Sequence, residues 1–236
     1  MTDVLTQFWQ AYLYQSNGGW SGVAVTLWLL VLSVSMGFAI SIVLAVGRVS
    51  PRRWISFPIW LFTYVFRGTP LYVQILFIYA GLYSLDFIKH TPPLAAFFQS
   101  GFDCLVLALT LNTTAYTTEI FAGAIRASSA GEIEAARSFG MSRFALYRRI
   151  ILPSALRRAL PAYSNEVILM LHATSLAFTA TVPDILKVAR DANSATYQTF
   201  ASYGVAALLY LCLSFTLIWL FRSYERRVLA YLGTRR

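Results

Sequence analysis

A chain of 236 residues that is 58% apolar and only 12% charged carries about half the charge of an ordinary soluble domain, which excludes a water-soluble globule and points to an integral membrane protein. Its net charge of +9 does not argue for nucleic acid, because the arginines lie between apolar runs and not along one polar face. Charge placed in that way marks topology beside anionic membrane lipid.

In chain order, the first 20 residues contain Asp3 and no basic stretch, so no cleavable signal is expected and the first apolar run should be retained. A membrane helix needs about 20 mainly apolar residues. Five runs reach that length, at 22–47, 59–83, 104–125, 160–182 and 203–221. The expected fold is therefore all-α and polytopic, with five transmembrane helices in a single domain, 1–236. Fifteen Lys and Arg residues fall in 48–58, 126–159 and 222–236, the last two being Arg235 and Arg236, against Lys89, Lys187 and Arg190 in the other connections. Because positive loops stay in the cytoplasm, the expected orientation is N-terminus out, C-terminus in. The cysteines, Cys104 and Cys212, have no metal-like spacing and read as packing residues.

Two runs are not plain lipid-facing helices. The second is interrupted by "FRGTP" (66–70), where Arg67 is costly in hydrocarbon and Gly68 and Pro70 free backbone groups that lipid cannot satisfy. The fourth contains Asn165, Glu166, His172, Thr174 and Ser175, too much polarity for a helix surrounded by lipid. In the third run Asn112, Tyr116, Glu119, Gly123 and Arg126 recur at helical spacing and form one stripe expected to face the bundle interior. Asn112 and Tyr116 suit either helix-to-helix hydrogen bonds or solute contact, and Glu119 should pair with a nearby Arg. Arg67 suits a clamp on the broken helix or a contact to a solute carboxylate. His172 reads as a packing donor, since no second His or Cys stands at metal spacing.

The basic segment "EIEAARSFGMSRFALYRRIILPSA" (132–155) predicts a short helix ended by Gly140 in a left-handed conformation, a restart at Ser142 as N-cap, and a stop at Pro153. The small residues Ala135, Ala136 and Gly140 favour close approach of a protein partner over insertion into lipid.

Within this segment Glu134, Ala135, Ala136, Gly140, Ile150, Leu152 and Pro153 resemble the EAA signature of permease subunits of ABC importers. "FRGTPL", "NTTAYTTEIFAGAIR" and "TSLAF" are similar to the branch that serves polar amino acids. "GEIEAARSFG", the stretch from "ILPSALRRALPAYSNEV" to "TATVPD", and "NSATYQ" resemble the M-type permeases of importers for histidine, lysine, arginine and ornithine. This sequence departs from the common branch pattern at Ala122 (usually Arg), His172 (usually Lys), and Glu132 and Ile133 (often Gln-Trp). The resemblance implies the type I importer permease fold in a bacterial inner membrane, with the loop at about 126–159 coupling to a cytoplasmic ATPase. It further implies an ATPase dimer, a second Q-type permease chain, a periplasmic binding protein that delivers a basic amino acid, and no cofactor in this chain, with ATP and Mg held by the ATPases.

No phosphate-binding GxxxxGK[ST] motif occurs in the sequence, so ATP hydrolysis is expected in another chain. A stand-alone carrier would not need the coupling loop, and five runs without an inverted repeat suit one poorly. An intramembrane enzyme would need a paired nucleophile and base or a metal cluster, which the pattern lacks. Glu166 is the leading candidate for contact with the cation of a basic amino acid, with Asn165 beside it and His172 two turns on expected to add hydrogen bonds along one polar helix face, and with Arg67, Asn112, Tyr116 and Glu119 as further pathway candidates. The alternative for Glu166 is a structural pair with Arg67, the sole intramembrane cation in the runs.

Overall fold

The computed structural model describes residues 2–16 and 18–229; Arg235 and Arg236 of the charge count lie outside the described residues. α1 (Thr2–Leu13) leads into a two-stranded hairpin, β1 (Gln15–Ser16) and β2 (Gly19–Trp20), paired antiparallel. This hairpin is a small departure from the all-α expectation. α2 (Gly22–Arg48) and α12 (Thr199–Val228) are the two unbroken helices long and apolar enough to cross a membrane; at 1.5 Å per residue each exceeds the ~30 Å hydrocarbon core.

The second apolar run is split where the sequence expects it. α3 (Arg53–Gly68) ends at the glycine, and α4 (Leu71–Leu76) begins behind Pro70. α4 continues through a π turn (Phe77–Gly81) and a 3-10 turn (Leu82–Ser84), and the two halves bend by 105°. Short α5 (Asp86–Lys89) and α6 (Pro92–Gln99) precede α7 (Gly101–Arg126), which meets α6 at 84°. The basic segment follows as α8 (Ala130–Ser138) and α9 (Arg143–Leu146), then a π turn (Tyr147–Ile151) that runs directly into α10 (Leu152–Ala173). A 3-10 segment (Thr174–Ala180) extends α10, and α11 (Ile185–Thr196) connects to α12.

Pro153 corrects an expectation. It does not stop the helix but stands as the second residue of α10, inside a helical path that is continuous from the turn before it. The π turn before it carries the chain from α9 into α10 without a break, the kind of local widening that absorbs a change of helix phase.

α7 is the central post, packed mainly on α2. The α2 face it meets is small at four-residue intervals, with Ser33, Gly37, Ser41 and Ala45 all buried. A Cβ at Gly37 would overlap Thr113 Cγ2 of α7, so the glycine sets how closely the two backbones approach, as in membrane helix pairs generally. Three apolar clusters stack along the bundle. Leu29, Ile75, Leu105, Leu109 and Leu171 fill the middle. Val4, Tyr12, Ile185, Ala189 and Val205 seal the end that carries the N-terminus. Ala45, Phe121, Ile125, Ala136, Leu146 and Ile151 seal the arginine-rich end.

At the first of these ends Asp184 N-caps α11, accepting from the Leu186 and Lys187 amides at 3.0 and 2.9 Å and from the Tyr210 hydroxyl at 3.1 Å. The Gly22 amide donates to Pro183 O at 2.8 Å beside it. Fully buried, Asp184 has its carboxyl pushed up to about 6 by desolvation, against which these hydrogen bonds act. Of the two cysteines, Cys104 is buried and Cys212 is exposed on α12, so only the first packs in the core.

Candidate functional site

The helix break is satisfied from within the chain. Gln74, buried on α4, donates its amide to Phe66 O at 2.7 Å, Thr69 O at 3.1 Å and Thr69 Oγ1 at 2.8 Å. Asn112 on α7 then donates to Gln74 Oε1 at 3.1 Å. The carbonyls freed by Gly68 and Pro70 therefore have partners, which is what non-helical backbone at membrane depth requires. Asn112 serves this bracing, and Gln74, a single polar residue in an apolar run, is the member that the sequence pattern does not single out.

The next two members of the α7 stripe, Tyr116 and Glu119, face α3. Tyr116 donates to Arg67 O at 3.5 Å, and the Arg67 guanidinium lies 5.2 Å from the centre of the Tyr116 ring, a cation–π arrangement. Glu119 accepts from Arg48 Nε at 2.6 Å and Thr63 Oγ1 at 2.8 Å. It is thus held between the last turn of α2 and the middle of α3. The expected arginine partner is present, and it is Arg48; Arg67 is occupied elsewhere. Gly123 and Arg126 are exposed, so the stripe faces the interior only from Asn112 to Glu119 and its last turn, contrary to expectation, leaves the bundle.

Glu166 sits differently. It is 6% exposed, on the α10 face turned to α7, where the nearby Thr113 hydroxyl and, from farther away, the Arg67 charge act on its carboxylate. The ion pairs among the described residues are Arg48–Glu119, Lys89–Asp86 and Lys187–Asp191, so the Glu166–Arg67 contact pair is not formed. One turn toward the arginine-rich end, Tyr163 packs with Phe38 and Phe121, ring centres 5.3 and 5.6 Å away. The three rings form an apolar layer between Glu166 and that end of the bundle.

Asn165 and His172 do not join Glu166. Seven residues apart, they share the α10 face directed at α12, about 100° from Glu166. His172 Nε2 bonds Ser214 Oγ at 3.0 Å, the packing role expected of it. Asn165 opens on a cleft with Arg222 and Glu225, where Ser164 donates to Glu225 at 2.7 Å. α10 is polar on two faces, so one polar stripe is the wrong description of it.

The basic segment forms as its capping chemistry dictates. Gly140 has φ +75°, Met141 N bonds Ala136 O at 3.2 Å, and Gly140 N bonds Arg137 O at 2.9 Å. That pair of bonds is the Schellman closure, with the αL residue at Gly140. Nothing lies within 4 Å of where a Cβ would stand there, so backbone conformation, not space, selects glycine. Ser142 caps α9 by accepting from Ala145 N at 3.3 Å. Of the signature residues, Ala136 faces inward and is 4% exposed, whereas Glu134, Ala135 and Gly140 are exposed. Ile150, in the π turn, and Leu152 and Pro153, at the start of α10, are half-buried. The loop tip projects Phe139 and Phe144, 89% and 73% exposed, two large apolar rings among charged neighbours. Phe139 was legible in principle, being an apolar residue at a turn within a basic loop.

The family model for the inner membrane component of binding-protein-dependent transport systems matches residues 37–230. The permease HisM of the histidine/lysine/arginine/ornithine transport system is 62% identical in Salmonella typhimurium, over 100% of both chains. The Escherichia coli K12 counterpart is 62% identical over 98% of this chain and 97% of its own. The octopine permease OccM of Rhizobium radiobacter is 42% identical over 87% and 83%. Among solved structures, an amino acid ABC transporter crystallised with histidines superposes with TM-score 0.76 and 34% identity, covering 87% of this chain and 92% of that one. The inward-facing MetNI methionine transporter shares the fold, at TM-score 0.69 and 17% identity over 88% and 94%. A long helical bundle with a braced helix break, a Schellman-closed loop at its basic end and these full-length likenesses together place the chain in the family of inner-membrane permease components of binding-protein-dependent ABC importers.

Proposed function

We propose that the chain is the membrane-spanning subunit of an ATP-driven importer for basic amino acids, with histidine, lysine, arginine and ornithine as the solute class, and that Glu166 supplies the counter-charge. The full-length likeness to HisM permeases supports the class. The observation that carries the solute role is Glu166 itself, a carboxylate 6% exposed at the α7–α10 contact with a hydroxyl nearby but no cation within ion-pair distance among the described residues. A carboxylate at that depth costs on the order of 3 kcal/mol on insertion scales. The side-chain or α-ammonium group of a basic amino acid offsets that cost when it arrives. In this reading Arg67, which lies over Tyr116, meets the solute's carboxylate.

In this reading 1–236 is one permease domain with five spans, N-terminus out. The fifteen-to-three split of Lys and Arg supports that orientation, and the two unbroken helices, the bent α3–α4 and α6–α7 pairs and α10 supply the spans. Glu134, Ala135, Gly140, Phe139 and Phe144 then present a cytoplasmic knob to one subunit of an ATPase dimer, while Ala136, Ile150, Leu152 and Pro153 root the knob in the bundle. A second, Q-type permease completes the path, a periplasmic binding protein delivers the solute, and ATP and Mg are held by the ATPases. Reconstitution tests the assignment. Proteoliposomes holding both permeases and the ATPase should accumulate arginine only with ATP and binding protein. Accumulation by this chain alone would show a carrier instead.

A further inference from the structure

At the arginine-rich end, α2 stops at Arg48 and α3 starts at Arg53 without a side-chain cap. Between them lies a cleft of about 430 Å³ lined by Arg48, Arg53, Ser56, Phe57 and Trp60, within the ~300–1,000 Å³ range of small-ligand sites. Its charge is only partly spent. Arg48 gives its Nε to Glu119, but among the described residues neither Arg52 nor Arg53 pairs with a carboxylate. Below the arginines an aromatic ladder descends α3. Phe57 and Trp60 have ring centres 5.7 Å apart, and Trp60 stacks on Tyr64 at 5.1 Å. Trp54, next in sequence to Arg53, is 72% exposed and Tyr64 64% exposed. Basic groups above tryptophan and tyrosine, at the end of an apolar helix, form the arrangement that meets the headgroup boundary of a bilayer.

We infer that this cleft is a binding site for an anionic phospholipid. The phosphate sits between Arg48, Arg53 and the Ser56 hydroxyl, and an acyl chain lies along Phe57, Trp60 and Tyr64. Charge complementarity selects an anionic over a zwitterionic headgroup. The aromatic ladder selects a lipid over free phosphate, which has nothing to place on it. Occupancy fastens the α2–α3 corner through Arg48, the residue that also holds Glu119, so a bound lipid stabilises the corner from which α3 runs to the helix break.

Native mass spectrometry of the delipidated, purified importer complex tests the site, with phosphatidylglycerol, phosphatidylcholine or inorganic phosphate added. The parent should retain phosphatidylglycerol over phosphatidylcholine. Arg53→Gln should weaken that retention about fivefold, the effect of one basic residue at an anionic surface, while Arg53→Lys keeps most of it. Equal retention of both lipids by the parent, or unchanged retention in Arg53→Gln, overturns the proposal. Displacement of the lipid by millimolar phosphate overturns the lipid assignment in favour of a free-anion site. A Phe57→Cys variant that cross-links to the second permease chain in intact membranes overturns it in favour of a protein interface.

Discussion

Glu119 and Glu166 are carboxylates on adjacent helices of one bundle, and their neighbours give them different work. Glu119 receives two short donations, from Arg48 and Thr63, and joins three helices. Glu166 has one hydroxyl nearby and no bonded cation among the described residues. That Glu119 needs an arginine was legible from its depth. Which arginine was not, because Arg48 is 71 residues away and only the α2–α7 packing brings them together. Gln74 escaped the sequence reading for a related reason, since a lone amide in an apolar run declares itself only when the helix break folds over it. Gln74→Leu should leave the Phe66 and Thr69 carbonyls without that partner, at a cost of about 1–3 kcal/mol per buried group. The measurement is thermal inactivation of the purified complex, where the variant should lose half its assembly several degrees below the parent. An unchanged profile would mean that the break is braced in another way.

At the scale of elements, local chemistry was read well and phase was not. The stop at Gly140 and the restart at Ser142 are made by bonds between residues five or fewer apart, so composition suffices to place them. The passage through Pro153 depends on how α9 and α10 seat against α2 and α7, which no local window contains. Gly140→Val forces a β-branched residue into the αL region, a strain of about 1–2 kcal/mol. It should reduce solute-stimulated ATP hydrolysis severalfold while the complex still inserts, whereas Gly140→Asn, better tolerated there, should retain more. ATPase assays on the two variants distinguish them, and equal, normal coupling in both would remove the turn from the mechanism. The α11 cap gives a pH test. Asp184 rises from 3.8 unfolded to about 6 folded, so the native state binds the extra proton between those values. The stabilisation is fully present below about pH 4 and is lost as pH rises through 6. The melting temperature of the complex should therefore fall between pH 5 and 7.5, and Asp184→Asn should flatten that fall. An equally steep fall in the variant would assign the dependence to another group.

At the scale of the whole molecule, the basic set and the sparse set of Lys and Arg among the described residues mark opposite ends of one bundle sealed by separate apolar clusters. With the exposed Cys212 first changed to Ser, Ser84→Cys and Ser194→Cys should react with a membrane-impermeant thiol reagent in intact cells, and Ser50→Cys and Ser223→Cys only after permeabilisation. The reverse pattern would invert the orientation. Run lengths made a bundle of apolar helices legible from the sequence; the placing of Asn165, Glu166 and His172 on one face was an error, because helical faces 100° apart look adjacent in a linear text. The central claim, that Glu166 is the counter-charge of a basic amino acid, has its most direct test in Glu166→Gln, which keeps shape and removes charge. In proteoliposomes containing the full importer and binding protein, the variant complex should assemble at parental yield and transport arginine with apparent affinity weakened at least tenfold. Parental affinity and rate for arginine in an assembled Glu166→Gln complex would contradict the account and move the solute site to the partner permease.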